Sequence, residues 1–303
     1  MSLAYLNGRY VPLREATLPV WDRGVVQGAT ITERVRTFRH RPFLVEPHLD
    51  RLDGSIAATG LVIPESRAEL AAIIDIIVEH ETRLLAPEQD IGIVLFATAG
   101  PTLADVAAHG VEHRRTTCVH AAPLPYTQWA KGFQEGQRLV IPPIRQMPPE
   151  VLNPQIKYRS RLHWYLADQM AHEIDPGASA LLLDRNDLLT ETSAGNLFVV
   201  RGGKLLTPSA TITLAGISQE YVRQLAGELG IETGVADLRT DDLWAAEEAM
   251  TSSSSYCLMP VTVVDGRPVG SGKPGPVFDR LISEWSRRVG VDIRGQAERF
   301  SHH

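Results

Sequence analysis

The chain has 303 residues, 44% hydrophobic and 22% charged, with a formal net charge of −6. That is enough apolar material for two moderate cores, and it leaves no basic footprint for nucleic acid. The longest apolar runs are too short to span a bilayer, and MSLAYLNGRY has neither a basic nor an apolar leader region, so a cytoplasmic protein is expected.

Cys118 and Cys257 cannot make a disulfide framework. His109, His113 and His120 lack metal-ligand spacing, so no metal site is expected. In chain order, Asn7-Gly8 between Ala4-Tyr5-Leu6 and Arg9-Tyr10-Val11 is a hairpin signal. A β unit runs from Ile31 to Phe38, turns at Arg39-His40-Arg41 and returns through Phe43-Leu44-Val45. Leu49, Leu52 and Ile56 mark one half-buried helix, and Leu70, Ile73, Ile74, Ile77 and Val78 a second. Strands Ile91 to Ala99 and Thr116 to Ala121 complete a small α+β domain over 1–122.

Residues 123–136 carry prolines and glycines and are expected to be the connection to a larger domain over 137–300. That domain opens with the strand Arg138 to Ile141. After Pro154 the positions Leu162, Tyr165, Leu166, Met170 and Ala171 recur at helical spacing, which sets Lys157 at or just before a first helical turn, with Arg159 and Arg161 behind it. Three cations there oppose the helix macrodipole, so a nearby anion is expected. Short strands punctuated by Asp184 to Asp187 and Gly202-Gly203 follow. Then come a helix from Ser218 to Leu229, a short one near Asp241 to Ala246, a hairpin from Val261 to Val269 and a final helix from Val277 to Val289.

The chain has only four lysines, Lys131, Lys157, Lys204 and Lys273. Lys204 lies in a Gly-Gly hairpin turn, Lys273 in a Gly-rich loop and Lys131 in a polar segment beside Gly132, all places where a solvated cation is ordinary. Lys157 alone falls outside that pattern.

Six motifs in order carry a resemblance: Asp22-Arg23-Gly24 with Gly28; His48-Leu49-Asp50-Arg51-Leu52; Lys157 and its helix; Thr190-Glu191-Thr192-Ser193-Ala194-Gly195-Asn196-Leu197-Phe198; Leu214-Ala215-Gly216-Ile217-Ser218; and Ser253-Ser254-Ser255 before Pro260-Val261. Over nearly its whole length the chain resembles the class IV aminotransferases, the pyridoxal-phosphate fold-type IV family of branched-chain and D-amino-acid aminotransferases and aminodeoxychorismate lyase. The resemblance implies a two-domain α/β (α+β) enzyme whose larger domain has a β-barrel-like core. It also implies a homodimer that uses pyridoxal 5′-phosphate, an amino donor and a 2-oxo acid.

On that resemblance Lys157 forms the Schiff base and moves the substrate proton, and Glu191 holds the pyridine nitrogen protonated. Arg51, Asn196, Leu214, Gly216, Ile217, Ser218, Ser253 and Ser254 complete the cofactor site, the phosphate falling to Arg51, to the serine hydroxyls and to the helix start after Leu214. Thr32, Arg36 and Ser255 are expected at the substrate, with Arg34 set on the opposite strand face from Thr32 and Arg36. Arg36 is the leading candidate for the carboxylate, ahead of Arg159 and Arg161. Two departures stand out: Thr98-Ala99-Gly100 replaces the arginine of D-amino-acid enzymes, and Leu162 replaces the tyrosine of branched-chain enzymes. The alternative chemistry within the resemblance is elimination of the aminodeoxychorismate type.

Overall fold

A computed structural model describes residues 1–301. They divide into two compact units, one formed by Met1–Leu124 with Ile156–Ser160 and the other by Pro125–Gln155 with Arg161 onward. No helix among the described residues is long and apolar enough to cross a membrane.

The first unit is a sheet backed by helices. Strands β1 (Leu3–Leu6) and β2 (Arg9–Pro12) pair antiparallel around Asn7-Gly8, both at positive φ as a tight two-residue turn requires. A short helix α1 (Arg23–Val26) precedes the long strand β3 (Thr30–Phe38) and the two-residue β4 (Arg41–Pro42). Helices α2 (Val45–Thr59) and α3 (Arg67–Thr82) follow, then β5 (Gly92–Thr98), α4 (Leu103–His109) and β6 (Thr117–Ala122).

The sheet order is β2-β1-β6-β5-β3-β4. Ile31, Val35, Ile93, Leu95 and Val119 join Leu49, Leu52, Ile74 and Ile77 of the two helices in one core. Truncating one such side chain to alanine would cost ~2–5 kcal/mol. Helix α3 opens with a reciprocal Ser66–Glu69 capping box, which fixes its start against that core.

Asp22, Arg23 and Gly24 lock the end of β5. Asp22 Oδ2 accepts from Thr98 Oγ1 at 2.8 Å and Thr116 Oγ1 at 2.9 Å, and Arg23 Nη2 donates to Ala99 O at 2.7 Å. A Cβ on Gly24 would lie 2.5 Å from Thr98 Cγ2. The Thr98-Ala99-Gly100 departure is therefore built into the packing of this unit.

The second unit begins with a helix where the sequence suggested a connection. Helix α5 (Tyr126–Glu135) buries Tyr126, Trp129, Ala130 and Phe133, an i, i+3, i+4, i+7 face that the flanking prolines and glycines masked. Strand β7 (Gln137–Val140), helix α6 (Leu162–Ile174) and strands β8 (Ala178–Leu183), β9 (Leu189–Thr192), β10 (Asn196–Arg201) and β11 (Lys204–Thr207) follow. Next come α7 (Ile217–Glu228), β12 (Thr233–Val235), α8 (Thr240–Trp244), β13 (Glu248–Ser253) and β14 (Cys257–Val264). The chain ends with β15 (Arg267–Pro268), α9 (Pro276–Val289) and α10 (Ile293–Arg299).

Neighbouring strands run β10-β13-β14-β7-β8-β9, and β9 pairs back onto β10, which closes the barrel. Each barrel strand contributes to one apolar cluster: Leu139, Leu181, Leu189, Leu197, Ala249 and Val261 are all members. The expected barrel-like core is thus present.

Helix α6 differs from expectation in two ways. It starts at Leu162, so Lys157 and Arg159 lie outside it and do not oppose its dipole. Its buried face is Trp164, Ala167 and Ala171, whereas Leu162 is 69% exposed and Tyr165 and Leu166 are also exposed. Small residues allow the helix to lie close on β8, where Ala178, Ala180 and Leu182 complete that cluster.

Candidate active site

In the first unit, residues 156–160 lie as a ribbon along β3. Thr32 N donates to Lys157 O and Arg159 N donates to Thr30 O, each at 2.9 Å, around an antiparallel bridge between Ile31 and Tyr158. Lys157 N donates to Ser55 Oγ of α2 at 3.2 Å, and Ser160 Oγ donates to Gly28 O at 2.5 Å. The backbone of Lys157 is therefore fixed on both sides, and Gly28, at φ +66°, supplies the close approach.

Beneath this ribbon sits a buried ionic triad. Arg51 Nε and Nη2 donate to Glu33 Oε1 and Oε2 at 2.8 and 2.7 Å, and His48 Nδ1 donates to Glu33 Oε2 at 2.8 Å. Burial alone would raise the Glu33 pKa, but the Arg51 charge and the hydrogen bonds from Arg51 and His48 outweigh it and bring the carboxyl down to about 2. Burial pushes the His48 pKa down, and the charges of Arg51 and Lys157 add to that. Arg51, expected at the phosphate, has two of its nitrogens on Glu33, a partner the sequence reading did not assign.

Thr32 and Arg36 are on one face of β3, as expected. Arg34 is on that face too, because positions two apart on a strand project to the same side. The expectation that set Arg34 opposite them is corrected by that period.

In the second unit, Glu191 stands at the end of β9 in register with Asn196 of β10. Its Oε1 accepts from Gln146 Nε2 at 3.1 Å and from Leu214 N at 3.2 Å, and its Oε2 accepts from Asn196 Nδ2 at 3.1 Å. The same Asn196 amide donates to Leu214 O at 2.8 Å. Behind Gln146, His163 Nε2 lies 3.2 Å from Gln146 Oε1, and burial lowers the His163 pKa, so a neutral imidazole donates there.

The loop after Leu214 leads directly into α7, where Gln219 Oε1 accepts from Gly216 N at 3.4 Å but no side chain among the described residues accepts from the N–H groups of Ile217 and Ser218. Its opening N–H groups, at Ile217 and Ser218, are oriented for an anion. By contrast α9 is capped from within, Glu248 accepting from Val277 N at 2.8 Å and Phe278 N at 2.9 Å. A Cβ on Gly216 would lie 1.9 Å from Asn196 Oδ1, so only glycine lets the loop seat on Asn196. Gln155 braces the same loop, donating to Thr213 O at 2.9 Å and accepting from Ala215 N at 3.2 Å.

Ser253 ends β13, and its hydroxyl accepts from Ser255 N at 3.3 Å to tighten the turn through Ser254. Ser252 Oγ is buried with no hydrogen-bond partner among the described residues, in register with Asn196 across β10 and β13. An orphaned hydroxyl, a glycine-only loop and the open N–H groups of Ile217 and Ser218 together fit a cofactor phosphate. Sequence reasoning missed Gln146, Gln155, His163 and Ser252. Gln146 lay outside every motif, and Ser252 was passed over beside the more obvious Ser253-Ser254 pair.

A family model for amino-transferase class IV matches residues 30–264. The chain belongs to the class IV aminotransferases. The aminotransferase is 30% identical over 303 residues to the D-alanine aminotransferase of Listeria monocytogenes serotype 4b, covering 97% of this chain and 98% of that one. It is equally 30% identical, over 282 residues, to a Methanocaldococcus jannaschii protein provisionally named a branched-chain-amino-acid aminotransferase, covering 91% and 93%. Among solved structures, a T.th. branched-chain amino acid aminotransferase with pyridoxamine 5′-phosphate superposes with a TM-score of 0.84 at 26% identity, covering 95% of this aminotransferase and 93% of that chain. The fold is the fold-type IV aminotransferase fold, and class IV aminotransferases use pyridoxal 5′-phosphate. These relatives are aminotransferases by name, which does not favour the elimination chemistry.

Proposed function

We propose that this aminotransferase moves an amino group between an amino acid, either a branched-chain L- or a D-amino acid, and a 2-oxo acid, as a cytoplasmic homodimer. The relatives named above support those two substrate classes. The observation that carries the reading is the Glu191 carboxylate, held by Gln146, Asn196 and the Leu214 backbone at the barrel closure.

Bound pyridoxal 5′-phosphate supplies a protonated pyridine ring that draws electrons from the substrate Cα. Glu191 keeps the proton on that ring nitrogen. Lys157 would hold the cofactor through Nζ and would carry the proton from the substrate Cα. Arg51, Gly216, Ile217, Ser218, Ser253 and Ser254 take the phosphate, while Asn196 and Leu214 hold Glu191 in place. Thr32, Arg36 and Ser255 meet the substrate.

The test is a half-reaction screen of the loaded enzyme with L- and D-amino acids and no acceptor. Conversion of the visible cofactor band, with pyridoxamine 5′-phosphate recovered on denaturation, is the expected result. Pyruvate released from aminodeoxychorismate, with no amino acid converting the band, would establish elimination instead.

A further inference from the structure

Neither β3 nor the Lys157 ribbon is symmetric about the sheet. Ile31 and Val35 of β3, with Ile156 and Tyr158 of the ribbon, pack on the helix side. Lys157 and Arg159 alternate with Ile156 and Tyr158, so they share the other side with Thr32 and Arg34. The Arg159 guanidinium carbon, 5.2 Å from the ring centre of Phe96, lies on that side, because Phe96 is the register partner of Thr32. The same face therefore holds the lysine of the chemistry and a set of arginines.

Arg34 is the unusual member. Its Nε is buried without a hydrogen-bond partner among the described residues, and burial lowers its pKa. Its Nη2 lies over Gly92, 3.5 Å from where a Cβ would stand, so the missing side chain of Gly92 makes room for it. Arginine stays charged in proteins, and a desolvated, unpaired guanidinium is costly unless an anion completes it. Arg36, expected in this role, is only 2% exposed, with Nε on Thr37 O and its guanidinium carbon 4.3 Å from the Phe38 ring centre.

Resting on the aminotransferase reading, we infer that Arg34 pairs with a carboxylate of the substrate and so makes the enzyme favour acids over amines. A carboxylate on the Lys157 face completes the guanidinium with a charge-assisted fork of hydrogen bonds. An amine substrate has nothing to offer it.

The test is Arg34→Met in the loaded enzyme, with Arg34→Lys as a second variant should the first fail to fold. Three quantities are read: the thermal midpoint without substrate, the half-reaction with leucine, glutamate (each L and D) and 1-phenylethylamine, and calorimetric binding of 4-methylvalerate. Arg34→Met should keep or raise the midpoint, because it removes a partly buried charge whose Nε has no hydrogen-bond partner among the described residues. It should weaken carboxylates roughly ten- to hundredfold and leave the amine unchanged, with Arg34→Lys between the two. Loss confined to glutamate assigns the distal carboxylate to Arg34, and loss for leucine and 4-methylvalerate as well assigns the common one. Unchanged carboxylate binding, or a lowered midpoint with equal loss toward acids and amine, overturns the inference. Arg36→Met is the contrast and should lower the midpoint. If none of the amino donors converts the wild type, the failure belongs to the aminotransferase reading rather than to Arg34.

Discussion

Glu191 and Asn196 face each other across the single register pair that closes the barrel, and one Asn196 nitrogen donates both to the Glu191 carboxylate and to Leu214 O. Carboxylate orientation and the loop into α7 thus meet at one amide beside the barrel closure. Asn196→Ala removes the donor from two partners at once. It should cost about 1–3 kcal/mol, the penalty of an unsatisfied buried acceptor, and lower cofactor affinity through the loop. Urea unfolding and cofactor titration check this, and unchanged values in both would remove Asn196 from the account.

Replacing Glu191 by glutamine tests charge apart from shape. The amide keeps the size of the side chain, so the cofactor should still bind, while loss of the negative charge slows proton transfer by about 10²–10³-fold. Single-turnover absorbance measures that step. A rate near wild type would mean that another group keeps the ring protonated.

The Glu33 triad gives a pH dependence with a definite sign. The folded carboxyl titrates near 2 rather than at 4.5, so its contribution to stability is full above pH 4.5 and is lost as pH falls toward 2. His48, also depressed, adds a loss of the same sign that begins below its ordinary value of 6.5. Glu33→Gln should flatten the acid limb and lower stability at neutral pH by ~3–5 kcal/mol, since it leaves Arg51 with a poorer partner. Unfolding midpoints from pH 7 down to 2 read both effects. An acid limb identical to wild type would contradict the assignment.

Much of the fold was legible because local signals agreed with it. Asn7-Gly8 marked the first turn, and Leu70, Ile73, Ile74 and Ile77 marked the buried stripe of α3. Helix α6 was misjudged on its face because large apolar residues outrank alanine in any periodic reading, yet Ala167 and Ala171 are what pack on β8. The closure of β9 onto β10 joins strands through one residue pair, which no periodicity announces. At the candidate site, Lys157 emerged by elimination among few lysines. Gln146 and the Glu33–Arg51 pair did not, because their meaning lies in hydrogen bonds between residues distant in sequence.

The most direct test of the account is where the cofactor attaches. The enzyme, loaded with pyridoxal 5′-phosphate, is treated with borohydride to make the linkage permanent, digested and mapped by mass spectrometry. The account predicts one phosphopyridoxyl group, on the peptide that contains Lys157, and none in Lys157→Ala. A label on Lys131, Lys204 or Lys273, or an equally labelled Lys157→Ala protein, would contradict it.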